Sequence, residues 1–414
     1  MHLPDEESDF CIGLRCFRAE KQLVIERNGA CSGDLHASEC SYMRILMTYV
    51  LVGRGGDAVQ VLEMAQALRN LGHDVQLLGP TPLRPYDFST TEGQLRNLAR
   101  RLPWWAKDCI ELGMDWRLGR QAQERARSVE LILHRAGIYD RIGARLADVS
   151  HRPLVAWLDA PFPIERAFRG EGCFASVHRR SMLSLAEKAQ RIITVSRASK
   201  EYYVQLGLPE EKILIVPNGI SERLLRRGLE LARAHPPFAR AHDRVLGFVG
   251  SLSPWHGVDL LLEALRELEQ WRLQIVGYGE AYASLRAQAH RLGLGARVEW
   301  LGALPHERAF EQIAQFDIAV LPHTLPTGAP MKLFEYAALA RPTIAPDLPN
   351  LRELFSENEI CFVPPGSPSR LAEAILSLSQ HPQEAVALGQ RAQARVHQQY
   401  TWEATMKKIL ASIT

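Results

Sequence analysis

The 414-residue sequence has no apolar run that reaches the ~18 residues a membrane-spanning helix needs, which argues against an integral helical membrane protein. It lacks a charge excess as well: 49 basic against 47 acidic residues leave a formal charge of +2, too little for a dedicated nucleic-acid binder. Cysteine is scarce and poorly spaced. Seven residues, an odd number without a C-x2-C pair, fit neither a disulfide framework nor a common zinc site. Asp5, Glu6, Glu7 and Asp9 stand where a secretory signal would carry positive charge, so a cytoplasmic setting is expected. A composition of 46% hydrophobic and 23% charged residues excludes disordered and collagen-like chains.

What is present is length for two or three domains. Residues 1–42 hold eight acidic and four basic side chains, with Cys11, Cys16, Cys31 and Cys40 among them. They read as an appendage or an upstream translation start; a small metal-binding tail is the other reading. From Met43 the chain alternates strand and helix signals, the pattern of a parallel sheet covered on both faces. RILMTYVLV is a buried strand, DAVQVLEMAQALRNLGH an amphipathic helix, and LILHR, PLVAWLDAP, RIITVS and ILIVPNG are further strands. Residues 221–243 show no strand and read as a linker. The alternation then restarts at RVLGFVGSL and runs to about 381, followed by a helical tail over 382–414 that can cross back to the first domain. The expectation is α/β, with two doubly wound Rossmann-like domains, 43–220 and 244–381, facing across a cleft. Ligands in such sheets bind beyond the carboxyl ends of the strands.

Glycine-rich loops stand at two of those ends. Gly53-Arg54-Gly55-Gly56-Asp57-Ala58 fits G-x-G-x-x-A, but the next strand ends Leu78-Gly79-Pro80, with no carboxylate for an NAD ribose. An oxidoreductase reading rests on this loop alone. Gly55, Gly56 and Asp57 can equally approach a phosphate or a sugar, or simply form a tight turn. In TGAPMKLFEYAALARPTIAPD, Lys332 and Glu335 lie three apart at the start of a helix, on neighbouring positions of its surface. Spacing alone leaves a solvated ion pair as the ordinary reading.

PMKLFEYAALARPTIA resembles the signature of family-4 retaining glycosyltransferases of the GT-B fold. So do GGDAVQVLEMAQALRNLGHDV, VSRASKEYYVQLGLPEEKILIVPNGI, and GFVGSLSPWHGVDLLLEAL followed by IVGYGE, in the family's order and spacing. The resemblance implies transfer of a sugar from a nucleotide sugar, UDP- or GDP-linked, to a saccharide or lipid-linked acceptor with retained anomeric configuration. It places the donor on the second domain and the acceptor on the first. The donor set it implies is Gly250, Ser251, Gly277, Gly279, Thr327, Gly328, Met331 and Glu335, with Glu335 holding the nucleotide ribose. No cofactor is implied.

Two departures stand out. Thr327 occupies the position of the first Glu of the family's E-x7-E motif, and Ser251 and His256 occupy the positions of its diphosphate-binding Arg and Lys. The leaving diphosphate gathers charge as the glycosidic bond breaks, and the chain has no Asp-x-Asp to hold a metal. The candidates to offset that charge are therefore Lys332, His256 if protonated, and the N–H groups of the helix starts near Gly56 and Gly328; His256, beside Trp255, reads equally as a packed or stacking residue. Arg135 and Asp159 end strands that should face the cleft; Asp159 either orients an acceptor hydroxyl or caps the next turn. Residues 95–120 carry six basic and three acidic side chains with Trp104, Trp105 and Trp116. That composition suits contact with the inner membrane face or a helical insertion packed on its own domain. The competing function class is a non-catalytic GT-B-like protein that binds nucleotide without transfer.

Overall fold

The first sheet orders its strands β2-β1-β3-β4-β5-β6, all parallel. These are β1 (Arg44–Tyr49), β2 (Asp74–Leu78), β3 (Leu131–Arg135), β4 (Leu154–Trp157), β5 (Arg191–Thr194) and β6 (Ile213–Ile215). The second sheet runs β12-β11-β10-β7-β8-β9, again parallel. Its strands are β7 (Arg244–Val249), β8 (Trp271–Val276), β9 (Val298–Gly302), β10 (Ile318–Val320), β11 (Thr343–Pro346) and β12 (Cys361–Val363). The computed structural model describes residues 42–50, 56–80, 83, 102–239 and 243–413. The four N-terminal cysteines, Gly53–Gly55 and the first part of the 95–120 segment lie outside these residues. The chain divides after Glu39, and both sheets belong to the unit Cys40–Thr414.

Parallel strands covered on both faces should be apolar throughout, and they are: Ile45–Tyr49, Leu131–Arg135, Leu154–Trp157 and Val245–Val249 are buried residue after residue. Strand order reverses between β1 and β3 in one sheet and between β7 and β10 in the other. Each reversal opens a crevice at the carboxyl ends of its strands.

The segment read as a linker contains a helix, Glu222–Ala234, whose Ser221 cap accepts from Leu224 N. This helix packs closely against Met331–Ala338: a Cβ on Gly228 would stand 2.5 Å from the Ala338 carbonyl oxygen. The C-terminal tail comprises helices Pro382–Gln399 and Trp402–Ala411. Ile220 and Thr401 bridge in parallel, Asn70 donates to Glu403 at 2.9 Å, and Trp402 packs against Trp157. The tail thus closes on the first sheet, whose helix Gly56–Asn70 carries Asn70. Helix Trp104–Arg127 also packs on its own half. Leu118, Ala122 and Ala126 enter the core, Trp104 meets Phe174, and Asp108 is buried against Tyr139 and Arg166. Trp105 stays exposed. Among the described residues no helix is long and apolar enough to cross a membrane.

Candidate active site

A cleft of about 960 Å³ joins the carboxyl ends of the two sheets. On the second-sheet side the chain leaves β7 through Gly250, whose φ of +143° a side chain would rarely adopt. Gly277 follows β8, and a Cβ there would stand 1.9 Å from the Gly250 carbonyl oxygen. These two glycines let the backbones approach each other and leave an open floor. Helix Met331–Ala338 starts after Pro330 and aims its first turns at that floor.

Lys332 Nζ is the charged group nearest it. The ammonium lies 4.4 Å from the centre of the Phe248 ring, and a Cβ on Gly250 would stand 2.4 Å from it. It is buried and, among the described residues, has no hydrogen-bond partner. Burial brings its pKa down to about 7, against a small opposing pull from Glu335. A buried cation without a partner is costly unless an anion completes it.

His256 differs from the expectation of a protonated imidazole. Its Nδ1 sits 2.5 Å from the Ser251 carbonyl oxygen, so that nitrogen carries the hydrogen and donates. Burial and the nearby Lys332 push its pKa well below the ordinary histidine value, which favours the neutral ring. Of the two side chains expected as cations, Lys332 is the one whose charged end faces the glycine floor. Ser251 and His256 still line the cleft, as do Gly250, Gly277, Gly279, Gly328, Met331 and Glu335. Thr327 does not: it is 4% exposed, and its carbonyl accepts from Ser196 and Ser199, both at 2.7 Å. Thr324 and Leu325 line the wall instead.

Glu335 accepts from His306 Nε2 at 2.7 Å. Among the described residues no group of three or more His, Cys, Asp or Glu is placed to hold a metal ion.

The first-sheet side is built around Arg135 at the end of β3. Arg135 is 1% exposed; Nη2 reaches Asp159 at 2.8 Å and Asp57 at 3.3 Å, Nε donates to Gln60 at 2.7 Å, and among the described residues Nη1 has no hydrogen-bond partner. Asp159 follows β4 with φ at +44°, a left-handed conformation that costs a non-glycine residue energy and is typical of functional sites. Burial raises its pKa, Arg135 opposes that, and Asp57 adds to it. Gly56 and Asp57, at the start of helix Gly56–Asn70, line the same wall. Glu165 joins them, its pKa lifted to about 7 by burial and by the charges of Asp57 and Asp159. Across the cleft mouth Arg169 stacks on Trp255 at 4.7 Å and pairs with Glu280 at 3.4 Å.

Glu165, Arg169 and His306 lie in none of the quoted motifs; Gln60 and Asn218 lie within two of them, GGDAVQVLEMAQALRNLGHDV and the segment ending VPNGI, but nothing in those motifs marks either residue as part of the site.

Two facing Rossmann-like units with the ligand crevice between them define the GT-B class. Solved structures agree: Anabaena Alr3699/HepE in complex with UDP-glucose superposes with a TM-score of 0.67 at 21% identity, covering 90% of this chain and 99% of that one. Residues 54–224 match the model described as Glycosyltransferase Family 4, and residues 243–381 match the model Glycosyl transferases group 1. The chain belongs to glycosyltransferase family 4. Its relatives include the amylovoran biosynthesis glycosyltransferase AmsK of Erwinia amylovora, 25% identical over 56% of this chain and 58% of that protein. Another is a D-inositol 3-phosphate glycosyltransferase of Segniliparus rotundus, 26% identical over 66% of this chain and 62% of that protein. The chain thus spans about three fifths of the length of these two relatives.

Proposed function

We propose that the protein is a retaining glycosyltransferase. It moves a sugar from a nucleoside-diphosphate sugar, UDP- or GDP-linked, to a saccharide or lipid-linked acceptor in cell-surface polysaccharide or glycolipid synthesis. The observation that carries this reading is Lys332, a buried ammonium without a hydrogen-bond partner among the described residues, facing the glycine floor of the cleft.

In this reading the diphosphate lies over Gly250 and Gly277, with Lys332 as its counter-charge, and Glu335 accepts from the ribose. As the bond between the sugar C1 and the phosphate oxygen breaks, negative charge grows on the leaving diphosphate. Lys332 stabilises that charge in a place where no water screens it, so no metal is required. The acceptor hydroxyl attacks C1 from the same face, and its proton passes to the leaving phosphate oxygen. Asp159, Arg135 and Asp57 orient the acceptor, and neutral His256 offers its free Nε2 to the donor sugar. The Anabaena protein was crystallised with UDP-glucose, and AmsK is named for a polysaccharide pathway; both support this choice of substrates. The exposed ring of Trp105 is the point of contact with a membrane surface in the same reading.

The test is donor turnover. The protein is incubated with UDP- and GDP-sugars in chelator, and the released sugar is followed by proton NMR. Release of the α-anomer from an α-linked donor, lost in Lys332→Met, is expected. Nucleotide binding without any release of sugar would return the non-catalytic reading, and release of the β-anomer would contradict retention.

A further inference from the structure

We infer that His306 is a positioning residue for the donor pocket, fixing Glu335 so that one carboxylate oxygen is held and the other is presented to a vicinal diol such as a ribose. The inference rests on the nucleotide-sugar reading and adds a residue that reading does not use.

Glu335 and His306 come from different elements. Glu335 lies in helix Met331–Ala338; His306 opens helix His306–Ile313 directly after Pro305. A carboxylate has no hydrogen to give, so the 2.7 Å contact has Nε2–H donating to Oε1. Glu335 is 9% exposed and lines the cleft, and among the described residues its Oε2 has no hydrogen-bond partner. One oxygen is therefore committed and the other is available.

The setting explains why such an anchor is needed. Behind the pair lies a second, much smaller cavity bounded by Glu63, Leu224, Met331 and Trp402, with His306 and Glu335 forming the wall between it and the cleft. Without a donor at Oε1, the Glu335 side chain could turn towards that void or take up a proton, and either change removes the acceptor from the cleft. His306 is itself held in character by its neighbours. Burial disfavours its charged form, but the hydrogen bond and charge of Glu335, helped by Glu63, outweigh this against Arg223 and raise its pKa. A charge-assisted bond of this kind is roughly twice as strong as a neutral one.

The experiment compares ribo- and 2′,3′-dideoxynucleoside diphosphates. Calorimetry on the full chain measures UDP, GDP and ADP with their dideoxy counterparts against wild type, His306→Gln and His306→Leu, each first checked for a cooperative thermal transition. Wild type should prefer the ribonucleotide by about tenfold, the size of one good hydrogen bond to a charged group. His306→Gln, which keeps an N–H donor, should retain most of that preference. His306→Leu should lose it, with dideoxy affinity unchanged. A Leu variant with the wild-type preference would overturn the inference, and so would one that weakens ribo and dideoxy forms equally. A wild type that binds without ribose preference sinks the positioning role and leaves the nucleotide reading standing. A wild type that binds no nucleoside diphosphate sinks both.

Discussion

Gln60 donates to Asn218 at 2.7 Å, and through that bond the two sides of the cleft are joined by one buried chain of hydrogen bonds. Arg135 Nε donates to Gln60, and Asn218 in turn donates to the Ala329 carbonyl at 2.8 Å, just ahead of the helix that carries Lys332 and Glu335. Gln60 and Asn218 are 2% and 6% exposed, so each bond is shielded from water. Unpaired amide groups in that setting cost about 1–3 kcal/mol each. Asn218→Ala is expected to lower unfolding stability by roughly that amount. Gln60→Ala added to it should then cost less than Gln60→Ala alone, because its partner is already gone. Urea unfolding of the four proteins measures the coupling; strictly additive losses would show that the chain is not a unit.

Lys332 makes the free protein less stable than its core would allow. Its pKa of about 7 lies below the ordinary lysine value, so between these two pH values the unfolded chain holds more protons than the folded one. Stability then rises with pH across that window. Lys332→Met removes the penalty, and should raise stability at pH 6 by of order 2 kcal/mol, with a smaller gain at pH 9. Thermal melts at the two pH values check this. An equal or negative change at pH 6 would mean that the ammonium is better solvated than its surroundings indicate.

The Arg135 guanidinium is the sole cation hydrogen-bonded to Asp159 among the described residues. Arg135→Ala leaves a partly buried carboxylate uncompensated and should cost about 2–4 kcal/mol. Asp159→Asn on the same background should recover part of that loss, since it removes the stranded charge. If the double variant is no more stable than Arg135→Ala, Arg135 acts through packing rather than charge.

Glu165 gives the opposite pH signature to Lys332. Its folded pKa is raised from 4.5 to about 7, so the folded chain binds more protons in that range and stability falls as pH rises through it. Glu165→Gln should therefore gain about 1–2 kcal/mol at pH 8, after discounting for its contact with solvent, and nothing at pH 4.5. Melting curves across pH 4.5–8 provide the measurement, and a gain independent of pH would contradict the assignment.

The two sheets were legible because parallel strands buried on both faces read as unbroken apolar runs, as in RILMTY and RVLGFV. The helix at 222–234 was not, because Gly228 interrupts it and the proline pair Pro236-Pro237 just beyond marks the segment as a break. That glycine is explained by the Ala338 carbonyl, which lies more than a hundred residues away in sequence. In the site, Lys332 and Glu335 could be found from the family signature around them, whereas their three-residue spacing alone reads as a solvated ion pair. The charge of His256 could not, since it depends on burial and on Lys332, both products of tertiary packing. Gln60 and Asn218 are separated by 158 residues, and His306 and Glu335 by 29. No local pattern marks such pairs, and side chains that act through a distant partner become visible only once the fold brings them together.

The most direct test of the account is calorimetric titration of the full chain with UDP, GDP and ADP in chelator, at pH 6.5 and pH 8.5, in wild type and Lys332→Met. An anion at Lys332 restores its proton, so binding above pH 7 requires proton uptake. The account predicts that one nucleoside diphosphate binds. Its affinity should fall by about tenfold from pH 6.5 to 8.5 in wild type, and should be weak at both pH values in the methionine variant. Binding of equal strength in wild type and Lys332→Met, or no binding by any of the three, would contradict it.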